Sequence, residues 1–165
     1  MKQNHFLIDF SADKKSDQKY FHTFQITAVS IFKQLGFQSA AASILLVRDK
    51  KMAELNWKLM RHRGTTDVLS FSYLEKKGKV RLSPKICSAN PPAFLGEVIV
   101  CLDTARRNAA EYDVSFEKEC ALYLCHGILH CLGWNDDTRA GFLQMQKKQN
   151  QILNKIGFAQ VKKFK

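Results

Sequence analysis

The feature that most limits what this chain can become is the stretch from Ser115 to about Leu132. It reads as an apolar helix whose last turns carry two histidines and whose exit is a glycine, within CHGILHCLGWNDDT from Cys125 to Thr138. Ser115 is suited to cap the start of such a helix, and Glu117 and Glu119 sit favourably in its first turn. His126 and His130 are four residues apart, so they stand one above the other on one helical face. Both imidazoles can therefore turn towards a single metal ion, at about 2.0–2.1 Å from each ring nitrogen. Gly133 can take a left-handed conformation, which ends the helix and folds the chain back. That return brings Asn135, Asp136 or Asp137 within reach as a third ligand, and Asp136 is the natural choice. A lone histidine on an apolar helix is more often a core residue, but the pair, the glycine and the carboxylate at fixed offsets together favour a metal site.

Elsewhere the hydrophobic pattern switches between the strand and helix periods. Phe6 to Phe10 reads as a first strand, and Gln18 to Leu35 as an amphipathic helix ending at Gly36. Ala41 to Val47 reads as a buried strand and Lys50 to about Met60 as a helix with Met52, Leu55 and Leu59 on one face. Thr66 to Tyr73 alternates, as a strand with two differently buried faces does, and Leu95 to Leu102 is a more uniformly apolar strand. Between these two, Lys76 to Pro92 is rich in glycine, proline and lysine and reads as a loop, either a basic arm over a bound polyanion or a solvated connection. Thr104 to Tyr112 and Thr138 to Ile156 complete the helices. The spacing shows no repeat and no Gly/Ser-rich linker, so a single domain over 1–165 is expected.

Charge narrows the partners. Lys plus Arg number 26 against 15 acidic residues, a formal net charge of +11 with a pI near 9.6. A field of that sign concentrates polyanions, which makes RNA or DNA a favoured class of partner. No apolar run approaches the roughly 18 residues of a membrane span, and the charged N-terminal stretch lacks the pattern of a secretory signal, so a cytosolic location away from membranes is expected. Five cysteines, an odd set with no CxxC pair, argue for buried thiols rather than a disulfide framework or a zinc ribbon.

The HxxxHxxGxxD layout is similar to that of the metzincin zinc proteases, in which a glutamate follows the first histidine as general base. Here that position is Gly127, so the metal geometry is kept while peptide-hydrolysis chemistry is not supported. A metalloprotease-like hydrolase becomes the runner-up. Two histidines and a carboxylate also describe non-haem iron oxygenases, whose ligands usually come from strands.

The same residues resemble the YbeY-type endoribonucleases, bacterial rRNA maturation factors whose motif reads approximately HGxLHLxGYDH. His126, Gly127, Leu129, His130 and Gly133 stand in register with it. Cys131, Trp134 and Asn135 replace the family's Leu, Tyr and Asp, and Asp136 stands in the place of its third histidine. ELN at Glu54 to Asn56, TDVLSF at Thr66 to Phe71 and LGEVIV at Leu95 to Val100 extend the resemblance. The family's usual arginine lies four residues after the Asn of ELN, where this chain has Met60, so Arg61, or alternatively Arg63, would supply the cation.

The resemblance implies an α+β fold: a small mixed sheet of about four strands with helices packed on it, and a metal cleft beside the HGILH helix facing the TDVLSF strand. It implies a single-strand-specific, metal-dependent endoribonuclease holding one ion, zinc or another divalent transition metal, on His126, His130 and Asp136, with Asp137 as competitor. Arg61 would stabilise the developing phosphorane charge. Glu97, Asp67 or a substrate phosphate oxygen are the candidates for general base. Ribosomal RNA and the small ribosomal subunit are the implied partners, through maturation of the small-subunit rRNA 3′ end and ribosome quality control. The non-enzymatic alternative is an RNA- or ribosome-binding module in which a closed site, completed by Cys125 or Cys131, merely ties the helix to its turn.

Overall fold

A computed structural model of the protein describes residues 5–74 and 82–158. Four strands form one mixed sheet: β1 (His5–Ala12), β2 (Ser39–Val47), β3 (Val68–Ser72) and β4 (Phe94–Cys101), in the order β1-β2-β4-β3. β1 runs parallel to β2 and β2 parallel to β4, while β3 closes the edge antiparallel to β4, pairing Ser70 with Val98 and Val68 with Val100. The helices are α1 (Phe21–Gln34), α2 (Asp49–Leu55), α3 (Pro84–Cys87), α4 (Leu102–Glu111), α5 (Phe116–Cys131) and α6 (Arg139–Lys155).

The α+β architecture expected from the sequence is the one observed, with refined boundaries. The helix read from Gln18 begins as a 3₁₀ segment, Lys15–Tyr20, before α1. That read to Met60 leaves α-geometry after Leu55 and finishes as a π-helical turn, Asn56–Met60, closed by Arg61 in a left-handed conformation (φ 59°). Within Lys76 to Pro92 the described part contains the single turn of α3; the basic stretch 75–81 lies outside the described residues. No helix among the described residues is long and apolar enough to cross a membrane.

The strand period divides the core between the two faces of the sheet. Ala40, Ala42, Ile44 and Leu46 of β2 and Val98 and Val100 of β4 join α1, α5 and α6 in the larger cluster. The intervening Val47, Leu69, Ile99 and Cys101 pack with Met52 of α2 on the other face. The largely apolar run of α5 after its charged first turn is thereby explained, since it lies between the sheet and the outer helices and is mostly buried. At the C-terminal ends of the parallel strands, Arg48 bonds Asp17 through Nε at 2.7 Å and Asp103 through Nη1 at 2.7 Å. This pins the chain after β2 to the 3₁₀ segment and to α4, and it leaves Asp17, fully buried, with a charged partner.

Ser115 caps α5 as expected, its side chain accepting from the Lys118 backbone N–H at 3.1 Å. Ser115→Ala should lower stability by about 1 kcal/mol, read from the denaturant midpoint. An unchanged midpoint would mean that packing alone sets the start of this helix.

Candidate metal centre

The site is built by the end of α5 and the turn that follows it. Gly133 adopts φ 80°, and the chain closes back by two bonds, Gly133 N–H to His130 O (2.8 Å) and Trp134 N–H to Leu129 O (3.0 Å). This is the Schellman pattern that a glycine just past a helix end makes accessible. The turn returns the Trp134 carbonyl to His130, where it lies 2.9 Å from Nδ1. A carbonyl can only accept, so Nδ1 carries the proton and the lone pair of His130 sits on Nε2. Asn135 Oδ1 then accepts from the Asp137 backbone N–H at 2.8 Å, a side-chain turn that presents Asp136 back towards the helix.

His126, His130 and Asp136 converge as a result. Their ligand atoms lie within 4.8 Å of one another, the one such group among the described residues. The two Nε2 atoms are 2.9 Å apart, and each lies 3.5 Å from one oxygen of the Asp136 carboxylate. Burial, with the neighbouring His130, holds the His126 imidazole below its ordinary pKa against the opposing pull of Asp136 and Asp67, and so favours the neutral, ligating form.

One partner escaped the sequence reading: Gln149 of α6, buried, whose amide nitrogen is 2.6 Å from His126 Nδ1. Rotation of that amide exchanges its nitrogen and oxygen, so Gln149 can serve either tautomer of His126. Ligation through Nε2 calls for the orientation in which Oε1 accepts from Nδ1–H. The signal was present in the chain, because Gln149 is the polar member of an otherwise apolar inner stripe of Met145, Ile152 and Leu153.

Other sequence candidates fall at different distances from this group. Asp67 lines the site together with His126 and Asp136, and its Oδ1 accepts from the Val68 backbone N–H at 2.8 Å. Glu97 lies on β4 opposite Phe71 and is not among the residues lining the cleft. Asp137 is exposed. Neither Arg61 nor Arg63 lines the cleft; Arg61 follows Met60, which does, and the Arg63 guanidinium lies 5.8 Å from the centre of the Trp57 ring. Cys125 and Cys131 are buried, and burial pushes both thiols up to about 12, far from the thiolate that would close a fourth position.

Two cavities meet at the group. An open trough of about 440 Å³ runs along Thr66 to Ser70 at the β3 edge, with His126, His130 and Asp136 on its other wall. A second cavity of about 270 Å³ opens between the end of α4, the middle of α5 and the first half of α6, and shares His126, Asp67 and Asp136 with the trough. Gly127 points away from both. A Cβ there would lie 2.5 Å from Val98 Cγ1 and 3.2 Å from Val68 Cγ2, so this position faces the sheet and α5 sits directly on β3 and β4.

Such features define a class: a small α+β protein with two helical histidines and a turn-borne carboxylate facing an open cleft. Comparison with known proteins gives the family. The family model described as Endoribonuclease YbeY matches residues 7–157, and the chain belongs to that family. Among curated proteins it is similar to the Endoribonuclease YbeY of Moorella thermoacetica, 39% identical over 118 residues (72% of this chain, 74% of that one). Similar matches are the Endoribonuclease YbeY of Salinibacter ruber, 38% identical over 115 residues (69% of each chain), and that of Staphylococcus saprophyticus, 35% identical over 121 residues (73% and 74%). The solution structure of TM1509 from Thermotoga maritima shares the fold, with a TM-score of 0.56 at 21% identity over 91% of each chain.

Proposed function

We propose that this protein is a metal-dependent endoribonuclease that cuts single-stranded RNA, with one ion held by His126 Nε2, His130 Nε2 and Asp136. The observation that carries the reading is the convergence of these three groups, with no cysteine joining them, at the meeting point of two cavities. Two imidazoles and a carboxylate form an accepted catalytic zinc set, and zinc is the ion proposed. Bound there, the ion supplies Lewis-acid charge and an activated water for attack on a phosphodiester.

The chain's own residues do the rest. The Trp134 carbonyl fixes the ring orientation and tautomer of His130, and the Gln149 amide fixes the ring orientation of His126. Asp67, which lines both cavities, is the best placed of the carboxylate candidates to accept a proton from the nucleophile. Arg61, which ends the π-helical turn and follows Met60 of the trough lining, is proposed to meet the phosphate as it gains charge. The net charge of +11 draws the polyanion in, and the open trough admits one strand along the β3 edge. Ribosomal RNA of the small subunit, and the subunit itself, are the proposed substrate and partner in the cytosol.

The test is cleavage by the purified protein of a single-stranded RNA and of the same RNA annealed to its complement. The single strand should be cut and the duplex spared; failure to cut either would overturn the proposal. Binding should weaken steeply with salt, log Kd rising linearly with log salt and nearly independent of sequence. A flat response would remove the electrostatic part of the account. Gln149→Ala should weaken zinc binding about 10–100-fold, read by competition with a chelating dye, and an unchanged affinity would deny Gln149 its orienting role.

A further inference from the structure

The smaller cavity has a chemistry that the backbone of RNA does not explain. It is lined by Tyr112, Tyr123, Phe142 and Met145, by the amides of Asn108 and Gln146, and by the carboxylates of Asp67 and Asp136, which it shares with the trough. Among the described residues no lysine or arginine lines it, although the protein as a whole carries a net charge of +11. A phosphate entering such a space would meet negative charge and apolar surface, whereas a neutral planar ring would meet aromatic side chains together with hydrogen-bonding amides and hydroxyls. At about 270 Å³ it lies just below the about 300–1,000 Å³ of small-molecule sites, the scale of one planar ligand. The wall is held in place, since Asn108 Nδ2 donates to the Tyr123 hydroxyl at 2.6 Å.

The cavity shares His126, Asp67 and Asp136 with the trough, so whatever fills it abuts the three candidate ligands. We infer that it is a nucleobase site: one unpaired base, flanking the phosphate to be cut, turns out of the strand and is held between Tyr112 and Phe142, while the backbone follows the trough. This rests on the ribonuclease reading above and adds to it the place where the substrate is gripped. The amides of Asn108 and Gln146 offer both donor and acceptor atoms, so a base edge carrying N–H and C=O groups suits the site. Single-strand preference then follows from the binding step, because a paired base would first have to be unstacked and unpaired.

The test uses a short single-stranded RNA carrying 5-iodouridine at each position in turn, irradiated with the wild-type protein and mapped by mass spectrometry. Cross-links from one RNA position to Tyr112 or Phe142 are expected. Tyr112→Ala, at a residue 45% exposed and so safe for the fold, and Phe142→Ala should each weaken RNA binding about tenfold, the loss of one stacked base. An RNA made abasic at the cross-linked position should bind wild type and Tyr112→Ala alike. Cross-links confined to other residues such as Trp57, or abasic RNA bound as tightly as intact RNA, would overturn the base site. The products of the same reactions separate the two ideas. Cleavage without a cross-link in the cavity overturns the base site alone, and a cross-link in the cavity without cleavage upholds it and overturns the nuclease reading.

Discussion

His130→Ala is expected to lower the rate of single-stranded RNA cleavage about a thousandfold while leaving the protein folded. Lewis-acid stabilisation is worth several kcal/mol at the transition state, and each 1.36 kcal/mol is about a factor of ten. His126→Ala and Asp136→Ala should do the same, because each removes one of three groups whose ligand atoms lie within 4.8 Å of one another. Stability should hold, since the His130 side chain is 29% exposed and that of Asp136 30%, so their loss opens no sealed cavity. Asp137→Ala supplies the contrast. Its backbone N–H is already engaged by Asn135, and its side chain is exposed, so cleavage should stay near that of wild type. Loss of activity in Asp137→Ala together with normal activity in Asp136→Ala would transfer the third position to Asp137.

Gly127→Glu should cost the folded state itself. This is the substitution that would give the chain the glutamate of a metzincin, and its geometry shows why it cannot serve as one. Position 127 is one residue, about 100°, around the helix from His126 and faces the sheet rather than the cleft. A Cβ alone would sit 2.5 Å from Val98 Cγ1, and a carboxylate beyond it would be driven between Val68 and Val98 without a partner. Burying an unpaired charge belongs with the changes that cost more than about 4 kcal/mol. Gly127→Ala measures the steric part: overpacking costs about 1–3 kcal/mol, against a gain of about 1 kcal/mol in helix propensity. A net loss is expected because β-branched Val98 cannot swing aside as a flexible side chain would. A denaturant midpoint for Gly127→Glu equal to that of wild type would show that α5 does not sit on the sheet in this way.

Much of this was legible in the chain because it depends on local spacing. The i, i+4 histidines, the left-handed Gly133 and Ser115 as a cap are all decided within one or two turns, and each stands where the sequence places it. Strand positions were legible for the same reason, since the two-residue period of Ala40 to Val47 sorts side chains between two cores. What the chain did not disclose are contacts made over long separations. Gln149 reaches His126 from 23 residues away, and Asn108 reaches Tyr123 only because α4 and α5 pack side by side. The smaller cavity is a product of three helices, the end of α4, the middle of α5 and the first half of α6, meeting beside Asp67, which no window of sequence contains. The π-helical turn at Asn56–Met60 was hidden differently: its residues keep a helical pattern, and the Asn56 side chain, buried and donating to the Gly64 carbonyl at 2.9 Å, ties it to the following loop.

The central claim is that RNA cleavage depends on an ion at His126, His130 and Asp136. It is tested most directly by removing the metal from wild-type protein with a chelator, assaying cleavage of single-stranded RNA, and restoring zinc in stoichiometric steps. The account predicts that cleavage disappears on stripping and returns as one ion binds per chain, and that His130→Ala neither takes up that ion nor recovers. Undiminished cleavage by the stripped protein would contradict it.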